Sequence, residues 1–298
     1  MPADVATWAD TVWTGGRLQL QAVVDRPLYP SHELEYGGRA RPWNRPRSSK
    51  RLAFPERRGL SAGTRLIFSR NGATTYERDP SQVTVEDLLN CRPMRTFARR
   101  FGQSNKPVSK WTHTTRHLVP AESRHERAFI LLADHHPQVQ HIAAQPFSID
   151  WPDGGPLGSH TPDFALLSPG RPPMIVDVKA PHASQDPDTV ARHEVVRHVL
   201  AEAGMFHVVW IGMPEAAVTN LSNFSGARVP EETMATWSPV VLDLLKPGDT
   251  ADVLSRRLDG RGYPRLLALT LIRRLLWQRR LVTDMTVRFV PMSRVWLP

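Results

Sequence analysis

The sequence contains a single cysteine, Cys91, among 298 residues. This excludes a disulfide within the chain, and it excludes zinc ribbons and cysteine-rich fingers, which need paired thiolates at short spacing. Long apolar runs are also missing: nowhere do about 18 apolar residues follow one another, as a membrane span requires. The first 30 residues carry Asp4, Asp10 and Asp25 and no signal-peptide core. These absences predict a cytoplasmic protein with no membrane partner.

Acidic residues are the minority among the charged ones. There are 29 Asp and Glu against 38 Lys and Arg, which gives a formal net charge of +9. Such a surplus favours a polyanionic partner, nucleic acid before an anionic membrane. No phosphate-binding loop of the Gly-x-x-x-x-Gly-Lys type occurs, so ATP hydrolysis would have to come from a partner protein.

Residues 1–60 are rich in proline and arginine and are predicted to form a basic arm rather than a folded unit. Its candidate DNA-binding residues are Arg39, Arg41, Arg45, Arg47, Lys50 and Arg51. Basic side chains with interleaved rings suit phosphate contacts and base stacking. A solvated linker with a compositional bias towards arginine explains the same pattern, and both interpretations stay open.

Residues 61–120 are predicted to form a small lead-in of a hairpin and a helix. Two β-type runs, 65–68 and 74–76, flank Asn71-Gly72, a pair that favours a tight turn. Thr84 then stands where a short helix can begin.

Residues 121–212 show the most regular pattern. Ser123 and Glu126 stand at the spacing of a helix cap and its third residue, and an apolar face follows as far as Pro137. The further predicted elements are three strands, a helix and a last strand, over 139–149, 161–167, 174–179, 186–203 and 206–211. The fold class is therefore predicted to be α/β, with the order helix, three strands, helix, strand.

The last part of the chain is predicted to be mainly helical. A loop-rich connector is expected over 213–248, and a C-terminal domain over 249–298. Helices ending in a hairpin of 286–290 with 294–297 outline a winged helix. That motif binds DNA or protein, and the sequence does not choose between them.

Three acids and one lysine in the α/β region carry the candidate chemistry. Glu126 lies on the predicted helix, Asp163 follows Pro162 at the second strand, and Asp177 and Lys179 end the third strand. Side chains two residues apart share one face of a strand, so Asp177 and Lys179 point into one site, and an adjacent strand can bring Asp163 there.

Hydrolysis of a phosphodiester needs a nucleophilic water, a neutralised phosphate and help for the leaving oxygen, all of which a divalent ion supplies. We expect Asp163 and Asp177 to bind one or two Mg²⁺ or Mn²⁺ ions, and Glu126 to complete the shell directly or through water. Lys179 would orient the attacking water or neutralise phosphate charge. These four residues are the predicted catalytic set.

Structural roles compete with these assignments. Glu126 can simply close a capping box with Ser123, Asp163 can bind turn amides, and Lys179 can pair with Asp177. Most histidines of the region are expected at the surface or facing DNA, since no His-Glu-x-x-His spacing occurs. His160 is expected to contact phosphate, and Gln145 is either a structural amide or a residue lining the site.

Together, Glu126, Pro162-Asp163 and Asp177-x-Lys179 resemble the PD-(D/E)xK nuclease superfamily with its restriction-endonuclease-like core. With Gln145-Pro146-Phe147 and His160-Thr161-Pro162-Asp163-Phe164, residues 92–211 are similar to the TnsA-like endonuclease subunits of heteromeric transposases. The best-known members carry Gln at the position of Asp177, which brings this chain closer to the general superfamily.

The resemblance implies that Glu126, Asp163 and Asp177 hold magnesium or manganese beside Lys179. It also implies cutting of the 5′ strand at transposon ends in double-stranded DNA. The implied partners are an RNase H-like transposase subunit, which cuts and joins the other strand, and an AAA+ ATPase regulator. Two other classes remain open: a stand-alone defence or repair nuclease, and a non-catalytic DNA-binding or assembly module.

Overall fold

A computed structural model describes residues 63–70, 74–94, 108–152 and 158–298. The basic arm with Arg39, Arg41, Arg45, Arg47, Lys50 and Arg51 lies outside the described residues, as does the Asn71-Gly72 turn. The described residues form a mixed α/β structure with eight α-helices and three sheets. They fall into two compact units, one ending at Gly212 and the other starting at Met213.

The first unit opens with the predicted hairpin. Strands β1 (Arg65–Ser69) and β2 (Thr75–Arg78) pair in antiparallel fashion, which confirms it. Helix α1 (Val85–Asn90) begins at Thr84, whose hydroxyl accepts a hydrogen bond from the amide of Asp87. A second small antiparallel pair follows, made of β3 (Val108–Trp111) and β4 (Leu118–Ala121).

The rest of the first unit consists of nine further elements, four of which are strands that form the main sheet. They are α2 (Arg124–His135), β5 (His141–Ala144), β6 (Ser148–Asp150), β7 (Ser159–His160), β8 (Phe164–Leu167), β9 (Met174–Val178), α3 (Pro181–Ser184), α4 (Pro187–Glu202) and β10 (Phe206–Trp210). The strand order of the main sheet is β10-β9-β8-β5, with β10 parallel to β9 and the other pairs antiparallel. Strands β6 and β7 join β1 and β2 in a separate sheet.

The single strand predicted over 139–149 is wrong, because the structure has two strands there in two different sheets. Gln145 lies between the two strands and has a φ of 44°. This left-handed conformation turns the chain from the main sheet, which contains β5, to the sheet that contains β6. The sequence cannot show this bend, since glutamine is not a residue that favours positive φ.

Helices cover both faces of the main sheet. On one face the ring of Phe129, from α2, packs 5.1 Å from that of Phe164, which lies opposite Val176 in the strand register. On the other face the apolar side of α4 shares a core cluster with Ile175. Because side-chain direction alternates, Asp177 points to the same face as Ile175, towards α4.

The second unit corrects the prediction for residues 213–248. In place of a loop-rich connector the structure has helices α5 (Glu215–Gly226) and α6 (Glu231–Leu244). Two of the prolines that favour loops in the sequence, Pro214 and Pro230, are the capping residues at the helix starts, and Pro239 lies inside α6. A missing amide costs nothing at a helix start. Helices α7 (Ala251–Asp259) and α8 (Arg265–Trp277) agree with the prediction.

The predicted terminal hairpin of 286–290 with 294–297 is also wrong. Trp296 exchanges backbone hydrogen bonds of 2.9 and 3.0 Å with Val282, and Arg294 forms an isolated bridge with Thr250. A tight turn, closed by the Ser293 amide on the Val290 carbonyl, leads the chain away from 286–290. The wing that a winged helix needs is therefore not formed by these described residues.

Among the described residues, no helix combines the length and the apolar character needed to cross a membrane.

Candidate functional site

The candidate site lies where β8 begins and β9 ends. Asp163 directly precedes β8, and its amide donates to the Val176 carbonyl at 3.0 Å. Its side chain reaches over the neighbouring strand, where Oδ2 accepts the Val178 amide at 2.6 Å. This backbone contact fixes one carboxylate oxygen of Asp163 at the end of β9.

Lys179 joins the two aspartates. Its Nζ atom lies 3.5 Å from Oδ1 of Asp177 and 3.8 Å from Oδ2 of Asp163. The lysine side chain is 30% exposed and that of Asp177 is 1% exposed. The structure therefore brings Asp163, Asp177 and Lys179 together at one edge of the sheet, as predicted. Lys179 is the most solvent-exposed of the three.

Glu126 approaches from α2, on the other face of the sheet, and its carboxylate is used at the start of that helix. Oε2 accepts the Glu122 amide at 2.8 Å, and Oε1 accepts the Ser123 hydroxyl at 2.9 Å. The Ser123 hydroxyl in turn accepts the Glu126 amide at 3.1 Å. Glu126 therefore has the structural role at the helix start that was considered as the alternative to catalysis. Its charge also raises the pKa values of Asp163 and Lys179.

Asp163 and Glu126 lie in surroundings that disfavour their charged forms. Burial raises the pKa of Asp163 to about 7, and the charges of Asp177 and Glu126 add to the increase against the opposing effect of Lys179. Burial likewise raises the pKa of Glu126. Both carboxylates are therefore easier to protonate than usual, chiefly because burial disfavours their charged form.

Asp177 and Lys179 shift in the opposite sense. Burial alone would raise the pKa of Asp177, but His160, Lys179 and the hydrogen bonds of His160 and His207 hold it well below its usual range. Burial alone would lower the pKa of Lys179, but the neighbouring Asp177 and Asp163 raise it. At neutral pH this pair is an ionised carboxylate beside an ammonium.

Asp177 also has a histidine environment that the sequence analysis misplaces. His160, expected to contact phosphate, is buried, and its Nε2 lies 2.9 Å from Oδ2 of Asp177. His207 Nε2 lies 2.9 Å from the same oxygen, and His193 Nε2 lies 3.8 Å from it. All three residues are buried, which for His160 and His193 corrects the expectation of a surface or DNA-facing position.

Two contacts near the candidate site are not predicted from the sequence. His207 stands in the apolar run of β10, and a lone polar residue in such a run is the one signal that could have identified it. His125, on α2, places its Nε2 3.1 Å from the Lys179 carbonyl. It thereby ties the helix to the backbone of the candidate lysine.

Gln145 touches the site through its neighbours. Its amide donates to the Asp163 carbonyl at 2.8 Å, and its side-chain Nε2 donates to Oε1 of Glu122 at 2.9 Å. Its side chain is buried. The contacts therefore favour the structural amide of the two roles considered.

The fit of a divalent ion rests on the donor chemistry. Within the described ranges, no group of three or more His, Cys, Asp or Glu side chains is arranged so that it could hold a metal ion. Two oxygen donors, from Asp163 and Asp177, nevertheless flank Lys179, and oxygen is what Mg²⁺ and Mn²⁺ prefer. The raised pKa of Asp163 also reflects negative charge that a divalent cation would balance. Asp163 and Asp177 are therefore suitable ligands.

A comparison of the chain with known protein families finds no match, and a comparison with curated proteins finds no similar sequence.

Proposed function

We propose that the protein is a metal-dependent DNA endonuclease with a restriction-endonuclease-like core of the PD-(D/E)xK type. The observation that supports it most strongly is the position of Lys179 Nζ, 3.5 and 3.8 Å from the carboxylates of Asp177 and Asp163. A divalent ion held by these two acids would supply Lewis-acid activation of a phosphate oxygen and of an attacking water.

The role of Lys179 follows from its charge. Because its pKa is raised, it is an ammonium at neutral pH and has no lone pair with which to accept a proton. It therefore acts as a hydrogen-bond donor that orients water and stabilises the negative charge developing on the phosphate. It is not the general base.

Glu126 takes an outer role in this proposal. Its two oxygens already accept the Glu122 amide and the Ser123 hydroxyl. Because both oxygens are already engaged, Glu126 would act on a bound ion through a water rather than as a direct ligand.

At the finer level we propose a TnsA-like subunit of a heteromeric transposase, which cuts the 5′ strand at the element's ends. This rests on the motifs around Glu126, Gln145, His160 and Asp163, quoted above. It includes an RNase H-like transposase partner, an AAA+ ATPase regulator and a cytoplasmic location. DNA contacts are assigned to the basic arm.

The test is a cleavage assay with the full chain, an RNase H-like transposase encoded beside it and DNA carrying the element's ends, in Mg²⁺. Asp163→Asn and Lys179→Ala should lower the cutting rate by at least about 10²-fold. The matched controls Asp150→Asn and Lys246→Ala replace exposed residues and should cut like the wild type. Undiminished cutting by Asp163→Asn would refute the site.

The same assay separates the other classes. Cutting without the transposase indicates a stand-alone nuclease. No cutting under any condition, together with Mg²⁺-independent DNA binding, indicates an assembly module.

A further inference from the structure

A buried group of three imidazoles surrounds Asp177 and has no part in the function proposed above. We call His160, His193 and His207 the imidazole cluster. They come from three separate elements, β7, α4 and β10, and are 8%, 3% and 1% exposed. Two of these elements, β7 and β10, each place an imidazole within hydrogen-bond distance of the same carboxylate oxygen, which indicates a specific task for that oxygen.

The imidazole cluster gives the two carboxylate oxygens of Asp177 different surroundings. Oδ2 receives His160 Nε2 and His207 Nε2, each at 2.9 Å. Among the residues that the structure describes, Oδ1 receives only the longer contact from Lys179 Nζ, at 3.5 Å. An ionised carboxylate has no hydrogen to donate, so both imidazoles donate Nε2–H to Oδ2.

His193 differs from the other two. Its Nε2 lies 3.8 Å from Oδ2, too far for a hydrogen bond, and has no hydrogen-bond partner among the described residues.

We propose that His160 and His207 are positioning residues that hold Oδ2 of Asp177, so that Asp177 offers a divalent ion the single oxygen Oδ1. This inference rests on the proposed function. It deepens that function by assigning the geometry of one ligand: binding through one oxygen suits Mg²⁺ and Mn²⁺, which keep several waters. It disfavours Ca²⁺, which often takes both oxygens of a carboxylate.

A purely structural role makes a different prediction. If the imidazoles only satisfied a buried charge, losing one donor would lower the stability of the fold without changing metal affinity in the variants that remain folded. A positioning role changes metal affinity, typically by about 10- to 100-fold for a residue that orients a ligand.

The experiment titrates Mn²⁺ into the full chain by calorimetry, with thermal unfolding of the metal-free protein beside it. His160→Leu and His207→Leu remove the donor and should weaken Mn²⁺ binding by about 10- to 100-fold. His207→Gln places an amide N–H near the former Nε2 and should restore most of the affinity. His193→Leu is the matched control, equally buried and without that hydrogen bond, and should bind Mn²⁺ like the wild type.

The outcomes separate the inference from the function beneath it. Wild-type Mn²⁺ binding that is unchanged in folded His207→Leu overturns the inference and leaves the proposed function intact. A wild type that binds no Mn²⁺ overturns both. If His207→Leu does not fold, His207→Gln decides: near-normal affinity supports the inference, and a loss as large as that of Asp163→Asn overturns it.

Discussion

Lys179 Nζ lies 3.5 Å from Oδ1 of Asp177, two residues earlier in the chain. The two residues share one face of the strand, so β9 places a buried anion at its second-last residue and a cation just beyond its end on the same side. The ammonium of Lys179 also lies near Asp163, which directly precedes the neighbouring strand β8. The geometry of the whole candidate site depends on this pair.

Removing the cation should destabilise the protein in a pH-dependent way. Lys179→Met leaves the buried Asp177 anion without its ammonium, and we expect a loss of about 3 kcal/mol in the free energy of unfolding. The loss should be smaller at pH 5 than at pH 8, because a protonated Asp163 removes one of the repelling charges. Urea unfolding at both pH values measures it. The exposed Lys246→Met is the control, and an equal loss there would contradict the prediction.

Asp163 should make the protein less stable as the pH rises. Its pKa is about 7 in the folded chain and about 3.9 when unfolded, so between these values the folded state retains a proton that the unfolded state releases. The contribution of this group to stability therefore falls from about pH 4 to pH 7. Asp163→Asn cannot ionise, so it should gain stability relative to the wild type between pH 5 and pH 8.

Metal-free urea unfolding at the two pH values tests this, with the exposed Asp150→Asn as control. A stability difference between Asp163→Asn and wild type that stays constant, or shifts against the variant as pH rises, is incompatible with a raised pKa.

Glu126 and Ser123 allow the capping role to be separated from the metal role. Ser123→Ala removes the cap of α2 and should cost about 1 kcal/mol of stability while leaving Mn²⁺ affinity unchanged. Glu126→Gln should weaken Mn²⁺ binding by about tenfold, as expected for action through a water. Calorimetry and thermal unfolding of both variants give the answer. Equal Mn²⁺ affinity in Glu126→Gln and the wild type would leave Glu126 with the capping role alone.

Local patterns predicted most single elements. The cap at Ser123, the apolar run of β9 and the helical spacing of α4 depend on neighbours in sequence, and each appears in the structure. The period of two along a strand also put Asp177 and Lys179 together. These features can be predicted from the sequence because they depend only on residues that are close together in the chain.

The predictions that failed concern positions that are set by contacts between residues far apart in the sequence. Nothing in the sequence near His160 or His207 shows that both rings will meet Asp177, since they are 17 and 30 residues from it. The same holds for Trp296, which pairs with Val282 rather than with the nearer 286–290. Tertiary packing overrides local turn signals in such cases.

The basic arm should carry the salt-dependent part of DNA binding. Replacing Arg39, Arg41, Arg45, Arg47, Lys50 and Arg51 with glutamine should flatten the plot of log affinity against log salt, since each phosphate contact contributes about −0.9 to its slope. Lysine at the five arginine positions keeps the charge and should preserve the slope. An unchanged slope in the glutamine variant would mean that DNA is bound elsewhere.

The central claim is that Asp163 and Asp177 hold a divalent ion beside Lys179, and Mn²⁺ titration of the full chain at pH 8 tests it most directly. The wild type and Asp150→Asn should bind Mn²⁺ with the same affinity, and Asp163→Asn should lose at least about tenfold while remaining folded. Equal binding by folded Asp163→Asn, or no binding by the wild type, would contradict the claim.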